Sequence, residues 1–176
     1  MTPAGRTDAL PPWLAAASRI TRRINAVFLA VSGALAAAIM LVILQDVVRR
    51  YAFNDPSAWV LDICSFMLVY LFFLALAPAL EAGSHVSVDL FRQLVPQRYR
   101  RGVLLLGGAL TVAFGAILWR MLLNDTLEAF ADDNPFPAST IPMKMKYIWV
   151  IGPVGVAQFV LTALVLLAPA AREADG

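Results

Sequence analysis

Between Val60 and Leu80 the chain carries a single charged side chain, Asp62. At a rise of about 1.5 Å per residue, that run covers roughly 30 Å, the depth of a bilayer's hydrocarbon core. A backbone in hydrocarbon has no water to bond and must satisfy itself internally, so the run is a helix. Comparable apolar runs lie at about 25–44, 103–123 and 147–167. Composition agrees: 60% of the 176 residues are hydrophobic and 15% charged, against roughly 45–50% and 25% in soluble domains. The expected fold is an all-α membrane protein of four transmembrane helices with short interfacial amphipathic helices. The expected domains are a cytoplasmic tail and interfacial helix over 1–24, a transmembrane unit over 25–167 and a cytoplasmic tail over 168–176.

Several chemistries are excluded by what is scarce. One cysteine, Cys64, allows neither an internal disulfide nor a dithiol centre. One histidine, His85, cannot ligate a haem from both faces and leaves little for a soft metal. A net charge of +2 gives no basis for binding nucleic acid. Ser65 and Cys64 have no base nearby in sequence, and no glycine-rich phosphate loop or catalytic triad is present. Neither enzymatic chemistry nor a bound cofactor is expected.

The flanks of the spans are more specific. Trp13, Leu14, Ala17, Ile20 and Ile24 share a helical face, with Ser18, Arg19, Arg22 and Arg23 off it, which predicts a short surface helix before the first span. That span exceeds the ~7–15 apolar residues of a signal core and lacks a cleavage site, so it reads as a retained anchor. Gly33 and Ala37, at i and i+4, would let another helix approach closely. Asp46 and Arg50 share the same spacing beyond the span. Asn54-Asp55-Pro56-Ser57 reads as a turn, and Trp59 suits the headgroup level.

After the second span, Gly83 is the expected helix stop, and Ser87–Leu94 a second surface helix. Gly107, Thr111 and Gly115 outline a groove on the third span. Residues 124–146 form a long polar connection containing Asp132 and Asp133. Pro153, between Gly152 and Gly155, should bend the fourth span by removing a backbone hydrogen bond. No internal repeat is visible. Nine Lys and Arg residues flank one side of the membrane and five the other, which predicts both termini in the cytoplasm.

Asp62 is the intramembrane acid, and such a residue is a transport candidate by default. It also sits in the first turn of its helix, where the dipole favours a carboxylate and Arg49 or Arg50 is within reach. A structural ion pair is the expected role, and proton or cation carriage the alternative. His85 and Asp89, at i and i+4, are expected to fix a turn, with a proton relay as the alternative. Gln158 is expected to hydrogen-bond across a helix interface.

Together, Asp46-Val-Val-Arg-Arg-Tyr-Ala-Phe-Asn, Ser57-Ala-Trp59, Asp62, His85-Val-Ser-Val-Asp89, Ile141-Pro142 and Pro153-Val-Gly155 form a recognisable set. Over residues 20–167 the chain resembles the small four-span membrane subunit of tripartite ATP-independent periplasmic (TRAP) transporters. It departs from that family's pattern at Asp62, usually a glutamate, and at Ser65, usually an arginine, which leaves Arg49 or Arg50 as the partner for Asp62.

The resemblance implies a non-catalytic scaffold in a bacterial inner membrane. Its partners would be membrane lipids, a large membrane subunit that holds the substrate and the coupling sodium, and a periplasmic substrate-binding protein. The implied substrate is an organic acid. Arg49, Arg50, Asn54, Trp59, Asp62, His85 and Asp89 are then the expected collar, and Asp132 and Asp133 the expected docking point for the periplasmic protein. The alternative is a self-contained oligomeric carrier or channel that uses Asp62 as its titrating group.

Overall fold

The computed structural model describes residues 12–55, 57–94, 97–132 and 144–172. They form α1 (Pro12–Ala52), α2 (Val60–Leu94), α3 (Gln97–Asp132), the short α4 (Met145–Trp149) and α5 (Ile151–Arg172), with no strand among the described residues. Pro12 opens α1 at a position where its missing N–H is no loss. Asn54 closes the same helix in the left-handed region at φ 50, and the Arg49 carbonyl accepts from the N–H groups of both Phe53 and Asp55.

The helices are longer than the spans they contain. The 41 residues of α1 measure about 60 Å, twice the hydrocarbon thickness. The basic segment from Trp13 to Ile24 is therefore an extension of the first span rather than a separate surface helix. Likewise α2 passes through Gly83 and takes in Ser87–Leu94. A glycine inside a helix costs about 1 kcal/mol relative to alanine, which neighbouring helix formers absorb. A glycine stop needs positive φ, and no glycine among the described residues has it.

The helices stand in a row, α1–α2–α5–α3, and α1 does not touch α3 among the described residues. The chain order is not the spatial order: α5 wedges between α2 and α3, the two helices that are consecutive in sequence. The wedge fits because Gly155 lies against the α2 backbone, where a Cβ would collide with the Phe73 carbonyl oxygen and sit 2.9 Å from Phe73 Cβ. Ala77 and Val156 are fully enclosed in α2 and α5.

On the other side of α5, a Cβ at Gly115 would lie 2.7 Å from Val160 Cγ2. Gly108 abuts Leu167, and Leu122 packs over Gly152. The working stripe of α3 is thus Gly108–Gly115–Leu122, one residue every seven. Of the expected groove, only Gly115 lies in it: Gly107 is exposed with open space around it, and the Thr111 hydroxyl bonds back to the Gly107 carbonyl at 2.9 Å.

Leu14, Thr21, Asn25 and Ser32 form the buried stripe of α1. Gly33 and Ala37 face outward, with nothing near Gly33. Large apolar side chains such as Leu29, Met40, Leu41, Phe114 and Ile117 are exposed around the row. Among the described residues four helices are long and apolar enough to cross a membrane, and in lipid such a surface carries no penalty.

Candidate functional site

Two polar clusters interrupt this apolar row, one toward each end. Toward the N-terminal end of α1, three helices meet at Asn25, which is 2% exposed. Its Nδ2 donates to Glu81 Oε2 of α2 at 2.7 Å and to Thr162 Oγ1 of α5 at 3.2 Å. Its Oδ1 accepts from Gln158 Nε2 at 2.8 Å. The amide thereby uses both donor hydrogens and an acceptor.

Thr162, 1% exposed, passes its own proton to the Gln158 carbonyl at 2.8 Å. Gln158 Nε2 also reaches the Thr21 carbonyl at 3.4 Å. Arg22 Nε stands 3.5 Å from Glu81 Oε1 at the solvent edge. The expected cross-helix bond of Gln158 is present, but its partners were not foreseen. A signal existed: Thr21/Asn25 and Gln158/Thr162 are two polar pairs at i, i+4 in helices otherwise rich in apolar residues. Asn25 is the residue they gather around, and Glu81, directly after the second apolar run, takes its other donor hydrogen.

At the α1–α2 turn the contacts are short in sequence. Asp46, 7% exposed, takes Arg50 Nη2 on Oδ2 at 2.9 Å and the Ser57 backbone N–H on Oδ1 at 2.8 Å. Arg49 pairs with Asp55 across the turn. Trp59, half-buried, occupies the turn just before α2 begins. The ion pairs of Arg49 and Arg50 therefore go to Asp55 and Asp46, not to Asp62 as expected. The physical reason is proximity, since Asp46 is four residues from Arg50 and Asp55 six from Arg49. Asp62 is half-buried in the first turn of α2.

Near that same end, two hydroxyl groups lie beside the junction of α4 and α5. Pro153 cannot donate to the Trp149 carbonyl, and Thr126 Oγ1, 2.7 Å from the Leu122 carbonyl of its own helix, also stands 3.1 Å from that oxygen. Tyr70 on α2 donates its phenol to the Tyr147 carbonyl. The interruption falls at Val150, upstream of the proline, because a proline leaves the carbonyl four residues earlier without its bond. Lys146 Nζ lies 5.8 Å from the ring centres of both Phe130 and Tyr147.

Asp132 is the exposed last residue of α3. Asp133 lies outside the described residues, as do the side chains of His85 and Asp89 on α2. Among the described residues no three His, Cys, Asp or Glu side chains come together in a way that could hold a metal.

The fold and these clusters define a class: a multi-pass, all-α membrane protein in which clustered polar groups bond one another and hold helices together. Residues 39–174 match the family described as "Tripartite ATP-independent periplasmic transporters, DctQ component". The chain belongs to this family of TRAP transporter small membrane subunits, which are transport components and not enzymes.

It is 31% identical over 85 residues, 48% of the chain, to the sialic acid TRAP transporter small permease protein SiaQ of Vibrio cholerae serotype O1, of which 49% is covered. It is 26% identical over 107 residues, 57% of the chain, to the C4-dicarboxylate TRAP transporter small permease protein DctQ of the same organism, of which 46% is covered. The chain thus spans about half the length of the curated relatives it matches.

Proposed function

We propose that the chain is the non-catalytic scaffold of a TRAP transporter, bracing a larger membrane subunit during uptake. The family match over residues 39–174 carries this reading. The architecture supports it, because the polar groups described are engaged in holding helices while the outward faces of α1 and α3 are apolar. In this role the large subunit holds the substrate and the coupling sodium. Gly33 and Ala37 on α1 and Gly107 on α3 offer it close-approach surfaces. The relatives' names concern sialic acid and C4-dicarboxylates, both bearing carboxylates, so an organic acid is the proposed substrate class.

Both termini face the cytoplasm in this scheme, following the Lys and Arg distribution. The α1–α2 turn and the segment between α3 and α4 then face the periplasm, where Asp132, the last residue of α3, and Asp133 contact the substrate-binding protein; residues 124–132, expected as part of a polar connection, continue the helix of the third span. Charge reversal at Asp132 and Asp133 is expected to weaken that docking in a salt-dependent way; unchanged affinity would refute their part in it.

The decisive experiment is purification of the tagged chain from its native membrane with identification of what accompanies it, together with reconstitution of the chain alone. A larger polytopic partner and inert vesicles are expected. Solute accumulation by the chain alone would overturn the scaffold role and return attention to Asp62.

A further inference from the structure

The buried stripe of α1 leaves a definite opposite face, and Arg19 and Arg23 stand on it. Leu14, Thr21, Asn25 and Ser32 turn toward α2 and α5. At 3.6 residues per turn, Arg19 and Arg23 then project away from the row, one turn apart. Both are exposed, and neither pairs with an acid among the described residues, whereas neighbouring Arg22 is held by Glu81. Arg19 Nε is anchored on the Ala15 carbonyl at 3.3 Å. That contact lays the guanidinium along the helix and leaves its Nη hydrogens for a further acceptor.

Depth is set by the neighbouring cluster. Asn25 is level with Glu81 and Thr162. Glu81 directly follows the apolar run of α2, and Thr162 lies five residues before the apolar run of α5 ends at Leu167, about 8 Å at 1.5 Å per residue. Arg19 and Arg23 therefore fall in the headgroup zone. The flanking side chains agree: Trp13 is 64% and Ile20 59% exposed beside them. A surface mixing bare aromatic and aliphatic groups with paired guanidinium groups suits neither bulk water nor hydrocarbon, but does suit the boundary between them.

The geometry points to a binding site on α1, formed by Arg19 and Arg23, for the phosphate of an anionic phospholipid headgroup. Arginine is suited to this because its planar fork meets phosphate oxygens in pairs, and each basic side chain near an anionic surface adds to the attraction.

The test uses the full chain purified in neutral detergent, with retention of added lipid read by native mass spectrometry. Wild type is expected to retain phosphatidylglycerol in preference to phosphatidylcholine, and inorganic phosphate in excess should not displace it. Arg19→Gln with Arg23→Gln is expected to lower phosphatidylglycerol retention by about thirtyfold. Arg120→Gln, on an exposed arginine of α3, should leave it unchanged. Arg19→Lys with Arg23→Lys keeps the charge and should retain most of the binding, which covers the case where the glutamine pair fails to fold.

Equal retention of the two lipids by wild type would overturn the proposal, as would undiminished phosphatidylglycerol retention by the glutamine variant. Loss of a co-purified protein with lipid retention intact would assign the two arginines to a protein partner instead.

Discussion

The two polar clusters hold the same row of helices by opposite means. At the α1–α2 turn, Asp46 reaches Arg50 four residues away and Ser57 eleven away. In the cluster toward the N-terminal end of α1, Asn25 reaches Glu81 across 56 residues, and Gln158 and Thr162 across more than twice that separation. The first closes a hairpin that its own loop length already brings together. The second fastens α5, which the chain order places next to neither, onto the α1–α2 pair. The difference teaches where the arrangement is specified: in lipid, apolar faces do not discriminate among partners, so buried hydrogen bonds and close approaches decide which helices are neighbours.

Loss of Asn25 should produce the largest effect. Asn25→Leu removes both donors and the acceptor at once, leaving Glu81, Gln158 and Thr162 to find other partners. A destabilisation of roughly 2–3 kcal/mol is expected, read by thermal or denaturant unfolding in detergent. A loss no larger than that of an exposed substitution would mean that this cluster does not hold the row.

Next is Gly155→Ala, which drives a methyl group into the Phe73 backbone. A cost of about 1–3 kcal/mol is expected, whereas Gly107→Ala, in open space, should be neutral or slightly stabilising in the isolated chain. A double-mutant cycle of Asn25→Ala with Gln158→Ala should then show a coupling of about 0.5–2 kcal/mol.

The contrasting change, Asp46→Asn, removes the charge facing Arg50. It should give a smaller loss than Asn25→Leu and add independently to Asn25→Ala, since no side chain is shared between the two sites. Appreciable coupling between them would break the division into separate clusters. Smallest of all, Arg49→Gln should hardly alter stability, because its pairing with Asp55 is solvent-exposed and such pairs contribute little.

The turn cluster was largely legible in the sequence because its signals are local. The i, i+4 spacing of Asp46 and Arg50 and the Asn54-Asp55 turn chemistry both survive in the structure. Asp62 was misjudged in its expected ion partners for a local reason as well: the arginines had nearer acids in Asp46 and Asp55. The three-helix cluster was only partly legible. Gln158 stood out as an amide in an apolar run, but pairing it with Asn25 requires knowing that α5 lies beside α1 and α2. The same ignorance misplaced the stripe on α3: Gly107 and Gly108 are adjacent in sequence, and only the direction in which α5 lies selects Gly108.

From its residues alone the chain is bound to be four long helices in a membrane, since apolar runs of bilayer length leave a backbone no other way to satisfy its polar groups. The turn chemistry between the first two follows from the same local rules. The tertiary structure alone decides that the last helix inserts between the second and third, and that α1 is fastened through Asn25. Lipid solvates every apolar face about equally well, so the order of the row depends on a few glycines and hydrogen bonds whose partners are far apart in sequence.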